Sequence, residues 1–161
     1  MHQICQQTEA QAEHLRNNFS SVVSLRTGVV LGKKGGALAK MALPAKFCVN
    51  GKIGSGQQWV SWIHINDWIS AVMYIVQLKT PADSYNLCSP NPVRNSELSQ
   101  TIGATINRKL QLPVPSFSLK LMLGEASVLL IGSQKVVPEQ LITDGFEFYY
   151  SNIDTALSSL L

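Results

Sequence analysis

The sequence is poor in charge of either sign. Charged residues occupy 14% of its 161 positions, and the formal net charge is only +3. No run of five or more basic residues occurs, so the chain lacks the basic segments that are typical of nucleic-acid binding. A surface with so few charges favours a protein that is partly covered in a larger assembly. We therefore expect self-association and no nucleic-acid partner.

Cysteines and long apolar segments are also scarce. Cys5, Cys48 and Cys88 are odd in number, far apart and without the spacing of metal ligands, which indicates inert thiols in a reducing compartment. The most apolar stretch, 117–131, is interrupted by lysine, glycine and glutamate and is too short to span a bilayer. The first fifteen residues are polar, unlike a signal peptide. We expect a soluble, cytoplasmic protein with no metal site and no membrane partner.

Short β-branched runs alternate with helical patterns in the first part of the chain. The predicted strands are 21–25 with its extension 29–31, 58–63 and 84–88, and the predicted helices are 2–16, 37–43 and 68–78. Pro44 is expected to end the second helix, and Asn66 or Asp67 to cap the third. This alternation predicts an α/β fold with parallel strands.

The remainder of the chain has helical patterns only. Asn95 is expected to cap a helix whose inner stripe includes Leu98 and Ile102. Further helices are predicted over 116–130, over 138–145 and after Ser151, where a Ser-x-x-Asp sequence resembles a capping box.

Several short motifs follow one another in a characteristic order. They are RTGVVLG at 26–32, GSGQQ at 54–58, WIHIND at 62–67, YNL at 85–87, PVRN at 92–95, LPVP at 112–115, GE at 124–125 and GSQK at 132–135. Each motif is weak alone, but their order and spacing resemble the atypical extended short-chain dehydrogenase/reductase family of nucleoside-diphosphate-sugar epimerases. The resemblance covers residues 2–161.

The resemblance implies a division of the chain into two parts. Residues 1–90 correspond to the C-terminal remnant of a Rossmann-like parallel sheet, and 91–161 to a mainly helical substrate-binding region. Family members are about twice as long and bind NAD(P) through a glycine-rich strand–turn–helix in their first half. The resemblance therefore implies a C-terminal portion of such a protein, with a nucleotide-linked or other small molecule as substrate.

Two motifs of the family's chemistry are absent from this chain. Neither G-x-G-x-x-G nor G-x-x-G-x-x-G occurs, so no tight glycine turn is predicted to bring backbone amides to a pyrophosphate. None of the four tyrosines is followed four residues later by a lysine, the pair that transfers protons in the wider superfamily. We expect no cofactor on this chain alone and assign no catalytic residue.

Candidate substrate contacts lie near the ends of the predicted strands. Arg26, with Thr27 beside it, ends the first strand, where ligands of open α/β sheets bind, and its guanidinium suits a phosphate. A structural arginine bonded to backbone carbonyls is the alternative. Gln57 and Gln58 can hydrogen-bond a sugar or a base, or simply begin a strand. His64 is the remaining candidate, although a lone histidine often orders structure, and we expect it to anchor the strand–helix junction with Asp67.

A weaker phosphate site is conceivable at the turn that precedes the second predicted helix. Lys33, Lys34, Gly35 and Gly36 combine cations with backbone amides at a helix start. A solvated turn explains the same residues and is the favoured interpretation. Trp59, Trp62 and Trp68 are expected to pack in the core rather than to stack on a ligand.

Two functions from different classes remain open at this point. One is the substrate-binding portion of an NAD(P)-dependent epimerase or reductase, inactive alone. The other is a non-catalytic, self-associating binding module derived from that family, because a sheet that lacks its other strands exposes an edge and apolar helix faces.

Overall fold

The computed structural model describes residues 7–12, 22–33, 35–46, 54–107 and 133–161. Residues 7–12 are helical, which confirms the described part of the predicted first helix. The helix predicted over 116–130 lies outside the described residues.

Six short strands form three pairs. The strands are β1 (Ser24–Thr27), β2 (Val29–Leu31), β3 (Trp59–Val60), β4 (Trp62–His64), β5 (Ser84–Leu87) and β6 (Val93–Arg94). β1 pairs with β5 and β2 pairs with β4, both in parallel, whereas β3 and β6 are antiparallel. The predicted α/β fold with parallel strands is confirmed. The strand predicted over 58–63 is two strands with different partners, interrupted at Ser61.

Gly28 makes the change of partner between β1 and β2 possible. Its N–H donates to Leu87 O at 3.0 Å, and the next N–H, of Val29, donates to Ser61 O at 2.8 Å. A Cβ at position 28 would lie 2.7 Å from Ser61 O, closer than real Cβ atoms approach. Glycine is therefore required where the chain leaves β5 and joins β4.

Five helices complete the described fold. They are α1 (Gly36–Lys46), α2 (Ile65–Gln77), α3 (Asn95–Thr105), α4 (Glu139–Thr143) and α5 (Ile153–Leu160). Leu98 and Ile102 on α3 are buried as predicted. None of these helices, in the part of the chain that the structure describes, is long and apolar enough to cross a membrane.

Several predicted helix ends were wrong. Pro44 does not end α1, which continues to Lys46, because Ala45 is fully buried in the core beyond the proline. The cap of α2 is His64, whose Nδ1 accepts the Asn66 N–H, rather than Asn66 or Asp67. Tertiary contacts thus overrode local signals at these ends.

Two later helices, α3 and α5, also begin differently from the prediction. Arg94 and Asn152 occupy the cap positions of α3 and α5, where Asn95 and Ser151 were expected, and neither side chain caps an N–H group of its helix.

Two clusters of buried residues form the core. One joins α1, β2, α3 and α5 through Leu31, Leu38, Leu98 and Leu157. The other joins β4, α2, β5 and α4 and includes residues such as Ile63 and Leu141. Both clusters combine residues from 1–90 with residues from 91–161, so the two parts of the chain share their cores. The division at residue 90 itself stays a prediction.

A buried tyrosine ties α4 to β5. The Tyr85 hydroxyl donates to Asp144 Oδ2 at 2.6 Å and accepts the Ala82 N–H at 3.0 Å. Burial, together with the neighbouring Asp144, raises the pKa of this phenol. Its proton is thus held in a structural hydrogen bond.

Candidate functional site

Two cationic side chains meet on one tryptophan. The guanidinium carbon of Arg94 lies 3.8 Å from the centroid of the Trp59 ring, and Lys135 Nζ lies 4.7 Å from it. Both distances are within the range of cation–π attraction. The described residues place no carboxylate in an ion pair with either cation. Their positive charge is therefore not neutralised by a described acidic partner.

The segment that carries Lys135 is fixed to the strands by two serine hydroxyls. Ser133 Oγ accepts the Trp59 N–H at 3.1 Å. Ser61 Oγ donates to Gln134 O at 2.8 Å and accepts the Val136 N–H at 2.9 Å. Lys135 is therefore held beside Trp59 by bonds on both sides of it.

The loop before β3 makes hydrogen bonds to the start of α3 and to Arg94. Gly56 O and Gln58 O accept the Ser96 and Asn95 N–H groups at 3.0 and 2.9 Å. These carbonyls satisfy the first donors of α3, which no side chain caps. The Arg94 Nη1 also donates to Gln57 O. The loop thus fixes Arg94 and occupies the helix end that would otherwise attract an anion.

Gln57 and Gln58 lie beside this cluster. The Gln57 side chain is exposed and that of Gln58 is half-buried. Their backbone carbonyls accept hydrogen bonds from the first N–H groups of α3 and from Arg94. A substrate contact by either amide stays a prediction.

Arg26 lies in a different environment. Its Nε and Nη2 donate to Glu9 Oε1 and Oε2 at 2.8 and 3.1 Å, in an exposed bidentate ion pair. The hydrogen bond to Arg26 lowers the pKa of Glu9. The neighbouring Thr27 Oγ1 accepts the Trp68 Nε1–H at 3.3 Å. This ion pair is neither the predicted phosphate contact nor the alternative of an arginine bonded to backbone carbonyls. Substrate binding by Arg26 and Thr27 stays a prediction.

His64 and Asp67 anchor the junction of β4 and α2, as expected for the pair. The His64 ring is 2% exposed and stacks on Tyr150 at 3.8 Å. Its Nδ1 accepts the Asn66 N–H, so Nε2 carries the proton of the neutral ring and donates to Ser159 Oγ at 3.1 Å. Both ring nitrogens are therefore occupied, which leaves none for a substrate.

Burial lowers the pKa of His64, and the nearby Asp67 carboxylate opposes that effect. The carboxylate itself is 1% exposed and accepts two backbone N–H groups from the segment before α5, those of Tyr149 at 3.1 Å and Tyr150 at 2.9 Å. Asp67 is therefore a tertiary anchor inside the first turn of α2 and not its cap.

The glycine-rich turn between β2 and α1 lies on the surface. Gly35 and Gly36 have positive φ angles of 93° and 71°, as a turn requires, but a Cβ on either would meet no atom within 4 Å. At Gly32 a Cβ would make only an ordinary contact of 3.8 Å with Ile65. Lys33 is exposed, Lys34 lies outside the described residues, and phosphate binding at this turn stays a prediction.

Sequence reasoning missed Arg94 and Lys135 as candidate site residues and assigned Trp59 to the core. Trp59 is in fact only half-buried. An arginine in PVRN and a lysine in GSQK, both within the recognised motifs, were the available signal.

Comparisons with known proteins agree with this architecture. Residues 114–160 match the family model "Domain of unknown function (DUF1731)". Epimerase family protein SAR0825 of Staphylococcus aureus is 37% identical over 158 residues, which are 98% of this chain and 53% of that protein. Epimerase family protein YfhF of Bacillus subtilis is 40% identical over 153 residues, 95% of this chain and 50% of that protein.

A solved structure shows the same relationship. The crystal structure of human epimerase family protein SDR39U1 (isoform 2) with NADPH superposes with a TM-score of 0.81 at 32% identity, covering 87% of this chain and 48% of that chain. The parallel strand pairs with their helices thus define an α/β protein with a Rossmann-like fold. Within that class the chain is a relative of the epimerase family proteins and corresponds to their C-terminal portion. It spans about half the length of the relatives it matches.

Proposed function

We propose that this chain is the substrate-binding portion of an NAD(P)-dependent epimerase or reductase and does not bind the cofactor by itself. The observation that carries the proposal is the pairing of Arg94 and Lys135 on the Trp59 ring. The similarity to epimerase family proteins supports the enzyme class, and the lack of a G-x-G-x-x-G or G-x-x-G-x-x-G motif supports the proposal that this chain alone binds no cofactor.

The cluster has the chemistry that a nucleotide-linked substrate requires. A diphosphate carries negative charge that a guanidinium and an ammonium can bind through charge-assisted hydrogen bonds. The ring of Trp59 holds both cations close together, and the neighbouring Gln57 side chain is exposed and able to bond polar groups of a base or a sugar. In the complete enzyme the nicotinamide would supply hydride transfer, and the residues of this chain would bind and orient the substrate.

The experiment is a titration of the purified chain with UDP-glucose, followed by tryptophan fluorescence and calorimetry. We expect saturable binding, and we expect Arg94→Ala and Lys135→Ala each to weaken it about tenfold or more, since a hydrogen bond to a charged group contributes roughly 1.5–3 kcal/mol. Lys79→Ala, at an exposed lysine after α2, is the matched control and should bind like the unmodified chain. Binding that neither site variant changes would contradict the assignment.

A parallel titration with NADPH tests the second half of the proposal. We expect no saturable binding at micromolar concentrations, because the sequence contains neither glycine motif that brings backbone amides to a pyrophosphate. A micromolar dissociation constant would refute that part of the proposal and leave the substrate site to be judged on its own titration.

A further inference from the structure

One buried serine is fixed by the fold on its backbone side. Ser61, which is 8% exposed, lies between β3 and β4, and its neighbours Val60 and Trp62 are buried in the core. Its carbonyl accepts the Val29 N–H at 2.8 Å, and Gly28 packs so closely on the same carbonyl that a Cβ there would lie 2.7 Å from the oxygen. The strands and the core therefore hold the backbone of Ser61 without help from its side chain.

The hydroxyl of Ser61 bonds the two peptide groups that flank Lys135. It donates to Gln134 O at 2.8 Å and accepts the Val136 N–H at 2.9 Å. Cys88 Sγ also contacts Val136 O, at 3.5 Å, but a thiol is a weak donor. The Ser61 hydroxyl is therefore the stronger of these two ties between the strands and the backbone of Lys135.

These two bonds help to determine where the charge of Lys135 lies. Its ammonium group is carried on a flexible four-carbon stem. The fold can fix such a charge only through the backbone from which the stem leaves and through the surface that the charge contacts. The Ser61 hydroxyl holds that backbone, and the Trp59 ring, whose centroid lies 4.7 Å from Nζ, attracts the charge. Without the hydroxyl, the ring alone would have to hold the ammonium in place.

We infer that Ser61 is a positioning residue of the Trp59 cluster, which favours anion binding through Lys135 and does not itself touch the anion. The inference rests on the proposed substrate site. The hydroxyl proton of Ser61 is already donated to Gln134 O, so it is not available to an anion. The competing interpretation is a purely structural hydroxyl, which stabilises the fold and leaves substrate affinity unchanged.

The test is a double-mutant cycle on UDP-glucose binding by the purified full chain. Ser61→Ala should weaken binding about fivefold, since contacts within one hydrogen-bond network couple by free energies of this order. In a chain that already carries Lys135→Ala it should cause no further loss, because the residue through which it acts is gone. In a chain that carries Arg94→Ala the fivefold loss should persist.

Ser89→Ala is the matched control. Ser89 is also buried, and its hydroxyl donates to Ser151 O at 3.0 Å, in a segment that carries no residue of the cluster. This substitution should lower the urea midpoint and leave the affinity for UDP-glucose unchanged. Should Ser61→Ala fail to fold, Ser61→Cys, which keeps the shape of the side chain but only a weak donor, takes its place with the same expectations.

A second measurement does not need the substrate. In the nuclear magnetic resonance spectrum of the free chain, the Trp59 ring should shift the Hε resonances of Lys135 upfield, because Nζ lies over the ring. Ser61→Ala should remove most of this shift. If the unmodified chain bound no UDP-glucose, the proposed function would fail, and the shift would still decide whether Ser61 positions Lys135.

Two results would overturn the inference. One is a Ser61→Ala chain that keeps the Lys135 shift or binds UDP-glucose as tightly as the unmodified chain. The other is a loss of affinity that is as large beside Lys135→Ala as without it, since Ser61 would then act on the substrate by a route other than Lys135.

Discussion

Asp67 offers the sharpest test of how this fold is held together. Its carboxylate is 1% exposed, and each oxygen accepts one backbone N–H, Oδ1 from Tyr149 and Oδ2 from Tyr150. The side chain thereby ties the first turn of α2 to the segment before α5. In Asp67→Asn the amide oxygen accepts one of these N–H groups, while the amide nitrogen, a donor, faces the other.

The cost follows from that mismatch. One charge-assisted hydrogen bond is lost and one buried N–H is left without an acceptor, which should lower the free energy of unfolding by about 1.5–3 kcal/mol. The favourable charge in the first turn of α2 is also lost, which adds about 0.3–1 kcal/mol. For a domain of this size each kcal/mol corresponds to roughly 2–4 °C in Tm.

Urea denaturation followed by circular dichroism measures the effect, with Asp154→Asn as the control. Asp154 is exposed in the first turn of α5, so its substitution removes only the interaction with the helix dipole, about 0.3–1 kcal/mol. The reasoning would be refuted if Asp67→Asn stayed within about 0.5 kcal/mol of the unmodified chain, or if the two substitutions cost the same.

Three further predictions concern other buried contacts. Burial lowers the pKa of His64 in the folded chain. The neutral ring should therefore contribute its full stability above about pH 6.5, the pKa of an unperturbed histidine, and this contribution should be lost as the pH falls through the lower folded pKa. Urea midpoints measured from pH 8 to 5 should fall less in His64→Asn than in the unmodified chain. Gly28→Ala should lower the free energy of unfolding in urea by about 1–3 kcal/mol, because its Cβ would meet Ser61 O at 2.7 Å. Gly32→Ala, whose Cβ contacts are 3.8 Å or longer, should lower it less, and equal losses in the two variants would contradict this prediction. Burial raises the pKa of Cys88 to about 11, so peptide mass mapping should find it unmodified by iodoacetamide at pH 8 until the chain is denatured.

The element types were largely predictable from the sequence, because β-branched runs and helical spacing are local properties. The strand at 84–88 and the helix around 68–78 correspond to β5 and α2. Helix ends were less predictable. Nothing local shows that Asp67 bonds a segment about eighty residues away, or that burial of Ala45 holds α1 together beyond Pro44.

The candidate site was harder to predict for the same reason. Arg26 at a strand end suggested an anion site, but the structure gives its guanidinium a carboxylate partner from the helical residues 7–12. His64 suggested a substrate contact, but both of its ring nitrogens are bonded within the fold. In both cases the structure supplies a partner from a distant segment that the sequence does not indicate, and substrate binding by these residues stays a prediction.

At the Trp59 cluster, by contrast, two cationic side chains are brought together and no described carboxylate pairs with them. Arg94, Lys135 and Trp59 come from three distant segments, and their meeting depends on the hydroxyls of Ser61 and Ser133. Arg26, by contrast, lies next to the carboxylate of Glu9. The Arg94 guanidinium is held by its hydrogen bond to Gln57 O, and Lys135 by the bonds that Ser133 and Ser61 make on either side of it. Two cations held on one ring in this way suit an anion from outside the described residues, which is the physical basis on which we propose substrate recognition by this cluster.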